Sequence, residues 1–466
     1  HLDRAPLKYN GLQPWEILIS EAQERMTVAV PPDKLDAFLT LAAEMNVEAT
    51  DLGRFTDSGY YHCLYQGQTV TWLPMAFLHE GVPQLQIPAR WVPPQTSEPQ
   101  LPAADIAATI KQLLGALNIC SKESVVRRYD HEVQAGTVVK PLTGVVNDGP
   151  SDAAVVRPLP DRFAGVVTAH GICPRFSDID TYHMTANAID EALRNYVCVG
   201  GNIDHVAGLD NFCWCDPVKS AKTPDGEYKA AQLVRSNQAL YDYCLAYGVP
   251  LISGKDSMKN DYQIGDTKIS IPPTLLFSVI GKIDDVRQAT TMDAKHAGDL
   301  VYLLGRTDDE LGGSEYYALH GALGANVPKV DAARAMERYR SVNAAQQQGL
   351  IASCHDLSDG GLAVALAETA FAGGFGVDVC LGRLDAPAGL SAAALLFSES
   401  ASRLLVTVRP EHQAAFEALF AEQSCACIGV VTATGDLRIT GVRDEPLAIA
   451  AIDDLKTAWQ APLKEM

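Results

Sequence analysis

The chain has 466 residues, 47% of them hydrophobic and 20% charged, so it can form about three domains and bury a large core. Its formal net charge of −20 argues against nucleic acids and anionic membranes as main partners, because both bind clustered positive charge. No apolar run reaches the roughly 18 residues of a transmembrane helix, no signal peptide is visible, and the scattered cysteines favour reduced thiols. These features predict a cytoplasmic protein and leave phosphorylated small molecules open as ligands.

Two changes in composition divide the chain into three predicted segments. Residues 93–105 are rich in proline, serine and glutamine, which is typical of a linker. A weaker boundary lies near 284–299, between a strand-like run and the apolar run Leu300–Leu304. The middle and last segments alternate strand-like with helical runs, which indicates an α+β fold with α/β-like alternation. We therefore expect three domains, over residues 1–95, 96–290 and 291–466.

The first and last segments carry related sequence. The element Ser20-Glu-x-x-x-Arg25 recurs as Ser398-Glu-x-x-x-Arg403, 378 positions later, and in both copies an alternating apolar run and a helical run follow. The first copy predicts a strand over 26–30 and then a helix that begins near Leu35. Only 19 residues precede this copy, against about 100 in the last segment. Residues 1–95 therefore correspond to the rear of a domain that another chain would complete, or they pack differently.

The middle segment contains two candidate sources of metal ligands. Asp152 follows a turn-forming stretch and directly precedes a strand-like run, where an acid either binds a divalent metal or ends an Asx-turn. A helix predicted over 183–199 carries Asn187, Glu191 and Asn195 four residues apart, on one stripe. The stripe is either a solvated face or part of an oxygen-rich metal shell.

The last segment contains a polar loop that opens a helix, His355–Gly361 (HDLSDGG). Free amides at a helix start, with flexible glycines at Gly360 and Gly361, are typical of a phosphate-binding loop. Asp356 and Asp359 would repel a bare phosphate, so a bridging Mg²⁺ is implied. The alternative is an ordinary N-cap with turn glycines.

Two further elements are candidates for binding phosphate. Lys255 and Ser257 follow a strand-like run, where a lysine behind a glycine either reaches a phosphate or carboxylate or lies on a solvated turn. In the first segment, Ser20 and Arg25 could bind a phosphate together, or Arg25 could pair with Glu21. No nucleophile elbow, Walker A loop or dinucleotide-binding fingerprint occurs in the sequence.

Four motifs, taken in order, resemble phosphoribosylformylglycinamidine synthase, the ATP-dependent amidotransferase of purine synthesis. They are Leu12–Met26, Tyr129–Gln134, Ser253–Met258 and His355–Gly361. The resemblance covers essentially the whole chain. It implies a two-domain unit similar to aminoimidazole ribonucleotide synthetase, preceded by a partial copy of the unit's second domain. It also implies a carbon–nitrogen ligase that converts formylglycinamide ribonucleotide, ATP and glutamine to the amidine, ADP, phosphate and glutamate.

The resemblance further implies ligand sites. Large members of the family bind a magnesium–nucleotide at an auxiliary site in their second copy, so Mg²⁺ and ATP or ADP are the expected cofactors. The matching metal ligands are Asp152, Glu191, Asn195 and one acid of the Asp356 and Asp359 loop. The candidate nucleotide-binding residues are Lys255, Ser257, Gly360, Gly361, Ser20 and Arg25. The family's catalytic histidine belongs to a domain that this chain lacks, so the catalytic residues are unknown.

The expected partners are formylglycinamide ribonucleotide, ATP, a complementary N-terminal half of the synthase and a glutaminase domain or subunit. The isolated chain is therefore expected to be inactive. Two other interpretations stay open. The chain could be a free-standing ATP-dependent relative, similar to selenophosphate synthetase or thiamine-phosphate kinase, or a scaffold that binds nucleotide without consuming it.

Overall fold

The structure is a computed structural model that describes residues 1–21, 25–103 and 105–465. These residues form two compact units, His1–Gln86 and Ile87–Met466. None of the helices in the described ranges is long and apolar enough to cross a membrane. All eleven cysteines are free thiols, as their scattered positions predict.

The first unit consists of short helices and one hairpin. Its helices are α1 (Pro14–Ile19), α2 (Leu35–Glu44) and α3 (Met75–Glu80), and its strands are β1 (Tyr60–Tyr65) and β2 (Gln68–Pro74). The two strands pair antiparallel. The helix predicted near Leu35 is confirmed as α2. Among the described residues of this unit, Ile17 and Cys63 are the only buried hydrophobic side chains.

The second unit contains two large sheets and the helices that pack on them. Its strands are β3 (Thr137–Val139), β4 (Ala154–Val156), β5 (Gly165–Ile172), β6 (Val206–Cys213), β7 (Leu251–Ser257), β8 (Asp261–Ile264), β9 (Thr267–Ser270), β10 (Thr274–Ile283), β11 (Leu300–Leu304), β12 (Ser353–Asp356), β13 (Gly376–Cys380), β14 (Leu404–Val408), β15 (Cys425–Thr432), β16 (Asp436–Thr440) and β17 (Pro446–Ala451). Its helices are α4 (Ile106–Leu114), α5 (Glu123–Val126), α6 (Thr181–Cys198), α7 (Gly226–Tyr247), α8 (Glu315–Leu319), α9 (Ala332–Gln347), α10 (Gly361–Gly373), α11 (Ala392–Phe397), α12 (Gln413–Leu419) and α13 (Ile452–Gln460).

The two large sheets are mostly antiparallel. Sheet I has the strand order β3-β4-β5-β10-β6-β7, and sheet II has the order β12-β14-β11-β15-β13-β16-β17. Only the pairs β6–β7 and β13–β16 of these described sheets run parallel. The chain passes from sheet I to sheet II between β10 and β11, across the stretch 284–299. This mixed architecture confirms the predicted α+β class.

Helix α6 packs on strands β5 and β10 of sheet I and carries much of the candidate site. It begins after Asp180, whose carboxylate accepts the N–H of Tyr182 at 2.9 Å and so caps the helix. Met184, Ile189 and Leu193 are fully buried along its apolar face. The helix predicted over 183–199 is confirmed within two residues at each end.

The segment predicted as a linker belongs to the second unit and is bonded to other parts of it. Its described residues form no helix or strand, as a linker predicts. Nevertheless, the Glu98 carboxylate accepts the backbone N–H groups of Ala325 and Asn326 at 2.7 and 2.8 Å. Two residues before the segment, the ring of Trp91 stacks on Tyr228 with centroids 5.4 Å apart. The segment is therefore an extended strap rather than a flexible connection.

The repeat in the sequence is also a repeat of elements. Helix α2 begins at Leu35 and α12 at Gln413, while β2 begins at Gln68 and β17 at Pro446. Each pair is separated by the same 378 positions as the Ser-Glu-x-x-x-Arg elements. The hairpin β1–β2 and helix α3 thus correspond to β16–β17 and α13.

The strand predicted over residues 26–30 is wrong, because no strand forms there and Met26 is 87% exposed. Its counterpart β14 pairs with β11 on one side and β12 on the other. At the same offset, counterparts of β11 and β12 would lie before residue 1. Among the described residues the run has no neighbouring strand, and an unpaired strand is not stable in water.

We expect the two copies to differ in hydrogen exchange. In the isolated chain, amides of residues 26–45 should exchange with opening free energies near zero, because no described strand pairs with residues 26–30 and side chains such as Val28 are exposed. Amides of residues 404–420 should open only with much of the second unit. Mass spectrometry of deuterated peptides measures both segments in one sample, and equal protection would contradict the expectation.

Candidate functional site

A buried ion cluster joins the elements of sheet I to those of sheet II. Asp190 and Arg194 lie one turn apart on α6 and form an ion pair of 2.5 Å. The same guanidinium lies 3.3 Å from the carboxylate of Asp356, at the end of β12. The three side chains are at most 6% exposed. We call this place, where α6 meets the end of β12, the domain junction.

Asp190 collects hydrogen bonds from four parts of the chain. Its Oδ1 accepts the hydroxyl groups of Tyr247, Tyr339 and Ser402 at 2.6, 2.7 and 2.8 Å. Its Oδ2 accepts the backbone N–H of Ser402 at 2.8 Å, beside the ion pair with Arg194. Ser402 adopts a left-handed backbone (φ 58°), a costly conformation that these two hydrogen bonds stabilise.

The predicted metal ligands come from three elements: Asp152 and Asp356 are in contact at the domain junction, whereas Glu191 and Asn195 lie one turn apart on α6, the helix that also carries Arg194. Asp152 lies just before β4, and its Oδ1 accepts the backbone N–H of Asp356 at 3.3 Å. Glu191 and Asn195 lie on α6 above β5. The Oε2 of Glu191 accepts the N–H of Ile172 at 2.9 Å, and the amide of Asn195 donates to the backbone oxygen of His170 at 3.1 Å.

Two buried oxygen atoms at the domain junction have no hydrogen-bond partner among the described residues. They are Oδ2 of Asp152 and Oδ1 of Asn195. A buried polar atom without a partner costs free energy, so such atoms call for a ligand, water or ion. Carboxylate and amide oxygens are the ligands that Mg²⁺ prefers. The donor set therefore fits a hard divalent cation.

Burial raises the pKa of several of the candidate metal-binding acids. Burial raises the pKa of Asp356 to about 7, although Arg194 lowers it. Burial likewise raises the pKa of Glu191. Neighbouring protein atoms and the nearby Glu399 raise the pKa of Asp359 well above its ordinary value, although Asp359 is exposed to solvent. A bound cation would favour the charged forms again.

The helix start at the glycine loop already has a carboxylate partner. Gly360 and Gly361 both have left-handed backbones (φ 80° and 64°), and a Cβ on Gly361 would lie 2.4 Å from the backbone oxygen of Ser398. The N–H of Gly360 donates to Glu399 at 2.8 Å, and the same oxygen accepts the N–H of Glu315 at 2.9 Å. Burial raises the pKa of Glu399 to about 8.

The remaining candidates lie elsewhere. Lys255 and Ser257 are on β7, at the edge of sheet I opposite the β3–β4 edge, and Lys255 is exposed. The predicted loop at this motif is wrong, because the run continues as a strand that pairs in parallel with β6. In the first unit, Arg25 donates to the backbone oxygen of Ser20 at 2.6 Å. The Arg25 guanidinium thus already has a hydrogen-bond partner in Ser20.

The solvated-face interpretation of the α6 stripe is wrong, because Asn187 and Asn195 are 4% and 9% exposed and bond to other segments. Sequence reasoning missed several partners of the predicted acids, above all Arg194 and His355. Arg194 lies four residues after Asp190, a spacing that predicts an ion pair on a helix. His355 belongs to the motif that supplied Asp356, but its contacts come from residues far away in sequence.

Two family models match this chain. Residues 1–65 and 296–442 match the C-terminal domain of AIR synthase related protein, and residues 150–283 match its N-terminal domain. The chain belongs to the AIR synthase-related family. Because the first and last segments match the same C-terminal domain, the predicted partial copy is confirmed.

Curated relatives in this family are PurL subunits of phosphoribosylformylglycinamidine synthase. The protein from Deinococcus radiodurans is 34% identical over 478 aligned residues, which cover 99% of this chain and 61% of that protein. The protein from Thermoplasma acidophilum is 30% identical over 462 residues, covering 98% and 58%. The resemblance stated from the motifs is confirmed. The chain spans about three fifths of the length of these relatives.

Solved structures agree on the fold. Thermotoga maritima PurL complexed with FGAR has a TM-score of 0.58 and 16% identity, covering 77% of this chain and 54% of that chain. The same protein complexed with ATP has a TM-score of 0.54 and 16% identity, covering 77% and 53%. At this level of identity the likeness concerns the architecture of the AIR synthase-related family alone.

We expect the domain junction to depend on Arg194. Arg194→Met should lower the free energy of unfolding by about 3–5 kcal/mol, because Asp190 and Asp356 then stay buried without a cation. Arg340→Met is the matched control, since its pair with Asp204 is more than half exposed and should contribute at most about 1 kcal/mol. Urea unfolding followed by fluorescence of the buried Trp214 and Trp459 measures both. Similar losses for the two variants would contradict the expectation.

Proposed function

We propose that this chain is the part of a phosphoribosylformylglycinamidine synthase that binds Mg²⁺ and an adenine nucleotide. The enzyme would convert formylglycinamide ribonucleotide, ATP and glutamine to the amidine, ADP, phosphate and glutamate. The observation that carries the proposal is the contact of Asp152 with Asp356 at the buried domain junction, together with the oxygen atoms of Asp152 and Asn195 that lack partners among the described residues. The PurL relatives support the choice of enzyme.

The proposed roles follow from the donor atoms. Asp152, Glu191, Asn195 and Asp356 would hold the cation through oxygen, and Asp359 would join them from the glycine loop. Bound Mg²⁺ supplies the positive charge that makes so acidic a junction compatible with phosphate groups. The protein's own part is to fix these oxygens and to exclude water from them.

The proposed nucleotide-binding residues lie in three places. Gly360 and Gly361 are proposed through their backbone N–H groups at the start of α10, which in this structure donate to Glu399 and to the backbone oxygen of Ser358 and would exchange these partners for phosphate. Lys255 offers an exposed ammonium group at the edge of sheet I, with Ser257 two residues further along β7. Ser20 and Arg25, which are hydrogen-bonded to each other in the first unit, are the third candidate pair for phosphate.

We also propose that the chain acts in the cytoplasm together with a complementary N-terminal synthase half and a glutaminase domain or subunit. The support is that it spans about three fifths of the PurL relatives. Its matched families are also confined to one N-terminal domain and two stretches of C-terminal domain.

Magnesium and ADP should stabilise the chain through Glu191. With ligand at a hundredfold excess over its dissociation constant, mass action adds about 2.7 kcal/mol, seen as a higher melting temperature. Glu191→Ala should lose most of that rise while circular dichroism shows the parental fold. Glu337→Ala, at an exposed position of α9, should keep the full rise. A parental response in Glu191→Ala would show that the stripe on α6 binds no metal.

The isolated chain should make no amidine product. Incubation with formylglycinamide ribonucleotide, ATP, Mg²⁺ and ammonia bypasses the need for a glutaminase, so only the synthase chemistry is measured. We expect no product above the background without protein, because the expected catalytic histidine lies outside this chain. Product formation would contradict this division of labour. Steady ATP hydrolysis without product would favour a free-standing ATP-dependent enzyme.

A further inference from the structure

A histidine is buried between two carboxylates beside the proposed metal site. The Nδ1 of His355 lies 2.7 Å from Oδ1 of Asp152, and its Nε2 lies 3.0 Å from Oε2 of Glu368. The three residues come from β12, the stretch before β4 and helix α10. Their side chains are 7%, 1% and 12% exposed. Both ring nitrogens are therefore in use, and neither is open to solvent.

The two oxygens of Asp152 have different surroundings. Oδ1 accepts from the His355 ring and from the backbone N–H of Asp356. Oδ2 is buried and has no hydrogen-bond partner in the described parts of the chain. The ring thus fixes the carboxylate by one oxygen and leaves the other for a ligand.

Other proposed metal ligands are held in the same way. Asp356 is held through Oδ2 by Arg194, and Glu191 through Oε2 by the N–H of Ile172. Asn195 is held through its amide nitrogen, which leaves Oδ1 without a partner. Ligating carboxylates in metal sites are commonly oriented by such hydrogen bonds, whose loss costs about 10–100-fold in metal affinity.

We propose that His355 is a positioning residue of the metal site: it orients Asp152, and Glu368 in turn orients the histidine ring. The inference rests on the proposed function, because it assumes that Asp152 binds the cation. His355 itself contributes no ligand atom, since both of its nitrogens bond to carboxylates. The chain Glu368–His355–Asp152 thereby links helix α10 to the strand that begins after Asp152.

Two substitutions separate the two hydrogen bonds of the ring. In His355→Asn, the amide nitrogen takes the place of Nδ1 and can still donate to Asp152, whereas the contact with Glu368 is lost. In His355→Gln, the amide nitrogen takes the place of Nε2 and can still reach Glu368, whereas the donor to Asp152 is lost. The two variants remove the same ring and differ in which carboxylate stays bonded.

Mn²⁺ binding in the presence of ADP tests the proposal without any measurement of activity. Free Mn²⁺ is measured by electron paramagnetic resonance during titration of the full 466-residue chain. We expect His355→Gln to weaken Mn²⁺ binding by about 10–100-fold and His355→Asn to stay close to the parent. Melting temperatures without metal show whether both variants keep the fold.

Every outcome of this titration either supports or overturns the proposed role of His355. Equal weakening in both variants would overturn the proposal, because the ring would then act through packing or as a ligand, and so would unchanged binding in both. If the parent chain binds no Mn²⁺, the proposed function itself fails and the inference with it. If His355→Gln does not fold, Glu368→Ala replaces it: loss of the outer anchor should weaken Mn²⁺ binding, and unchanged binding would overturn the proposal.

Discussion

Arg194 is buried between Asp190 and Asp356, and a guanidinium does not release its proton in a protein. A buried cation of this kind is tolerated only where acids and acceptors surround it. Helix α6 therefore has to meet β12 at a fixed position, because the acid on α6 and the acid at the end of β12 share one partner. Tyr247 and Tyr339 bring α7 and α9 to the same point through their hydroxyl groups. The elements of sheets I and II are in this way aligned by charge as well as by apolar packing.

That alignment explains why the acids of the site can be so close together. Carboxylates such as Asp152 and Asp356 repel one another, and the raised pKa of Asp356 reports this together with burial. The rest of the fold holds them in place through Arg194, backbone N–H groups and the His355 ring. Without a cation, the repulsion between these carboxylates lowers the stability of the folded chain. A bound cation would offset this repulsion and so stabilise the chain. The domain junction and the proposed metal site share Asp356, so the two cannot be changed independently.

The sequence predicted the parts of the site that depend on spacing along the chain. A four-residue period was enough to bring Glu191 and Asn195 to one face of α6, and an acid before an apolar run was enough to locate Asp152 at a strand start. The sequence could not predict contacts between residues that are far apart along the chain. Asp152 and His355 are 203 positions apart, and no local pattern specifies that β12 lies beside the start of β4.

Two wrong predictions have one physical cause. Periodicity indicates what a run prefers, but a strand also needs a neighbour. The alternating run at 26–30 has no neighbouring strand among the described residues and forms no strand. Conversely, the polar motif around Lys255 looked like a loop, but the exposed edge of β6 offered a partner and the strand continued. Which strands become neighbours is decided by the AIR synthase-related architecture as a whole. The fold class was therefore easier to predict than these individual elements.

The repeated Ser-Glu-x-x-x-Arg element forms the same contact between side chain and backbone in a buried and in an exposed environment. Arg403 is fully buried and donates to the backbone oxygen of Ser398 at 2.5 Å, while Arg25 is exposed and makes the same contact with Ser20 at 2.6 Å. The contact joins a side chain to the backbone five residues earlier, so neither a sheet nor a ligand is required for it. The two copies can therefore differ in what they bind while keeping the same Ser, Glu and Arg residues. In duplicated proteins, such a motif records common ancestry of a loop, and only its neighbours reveal whether that loop binds anything.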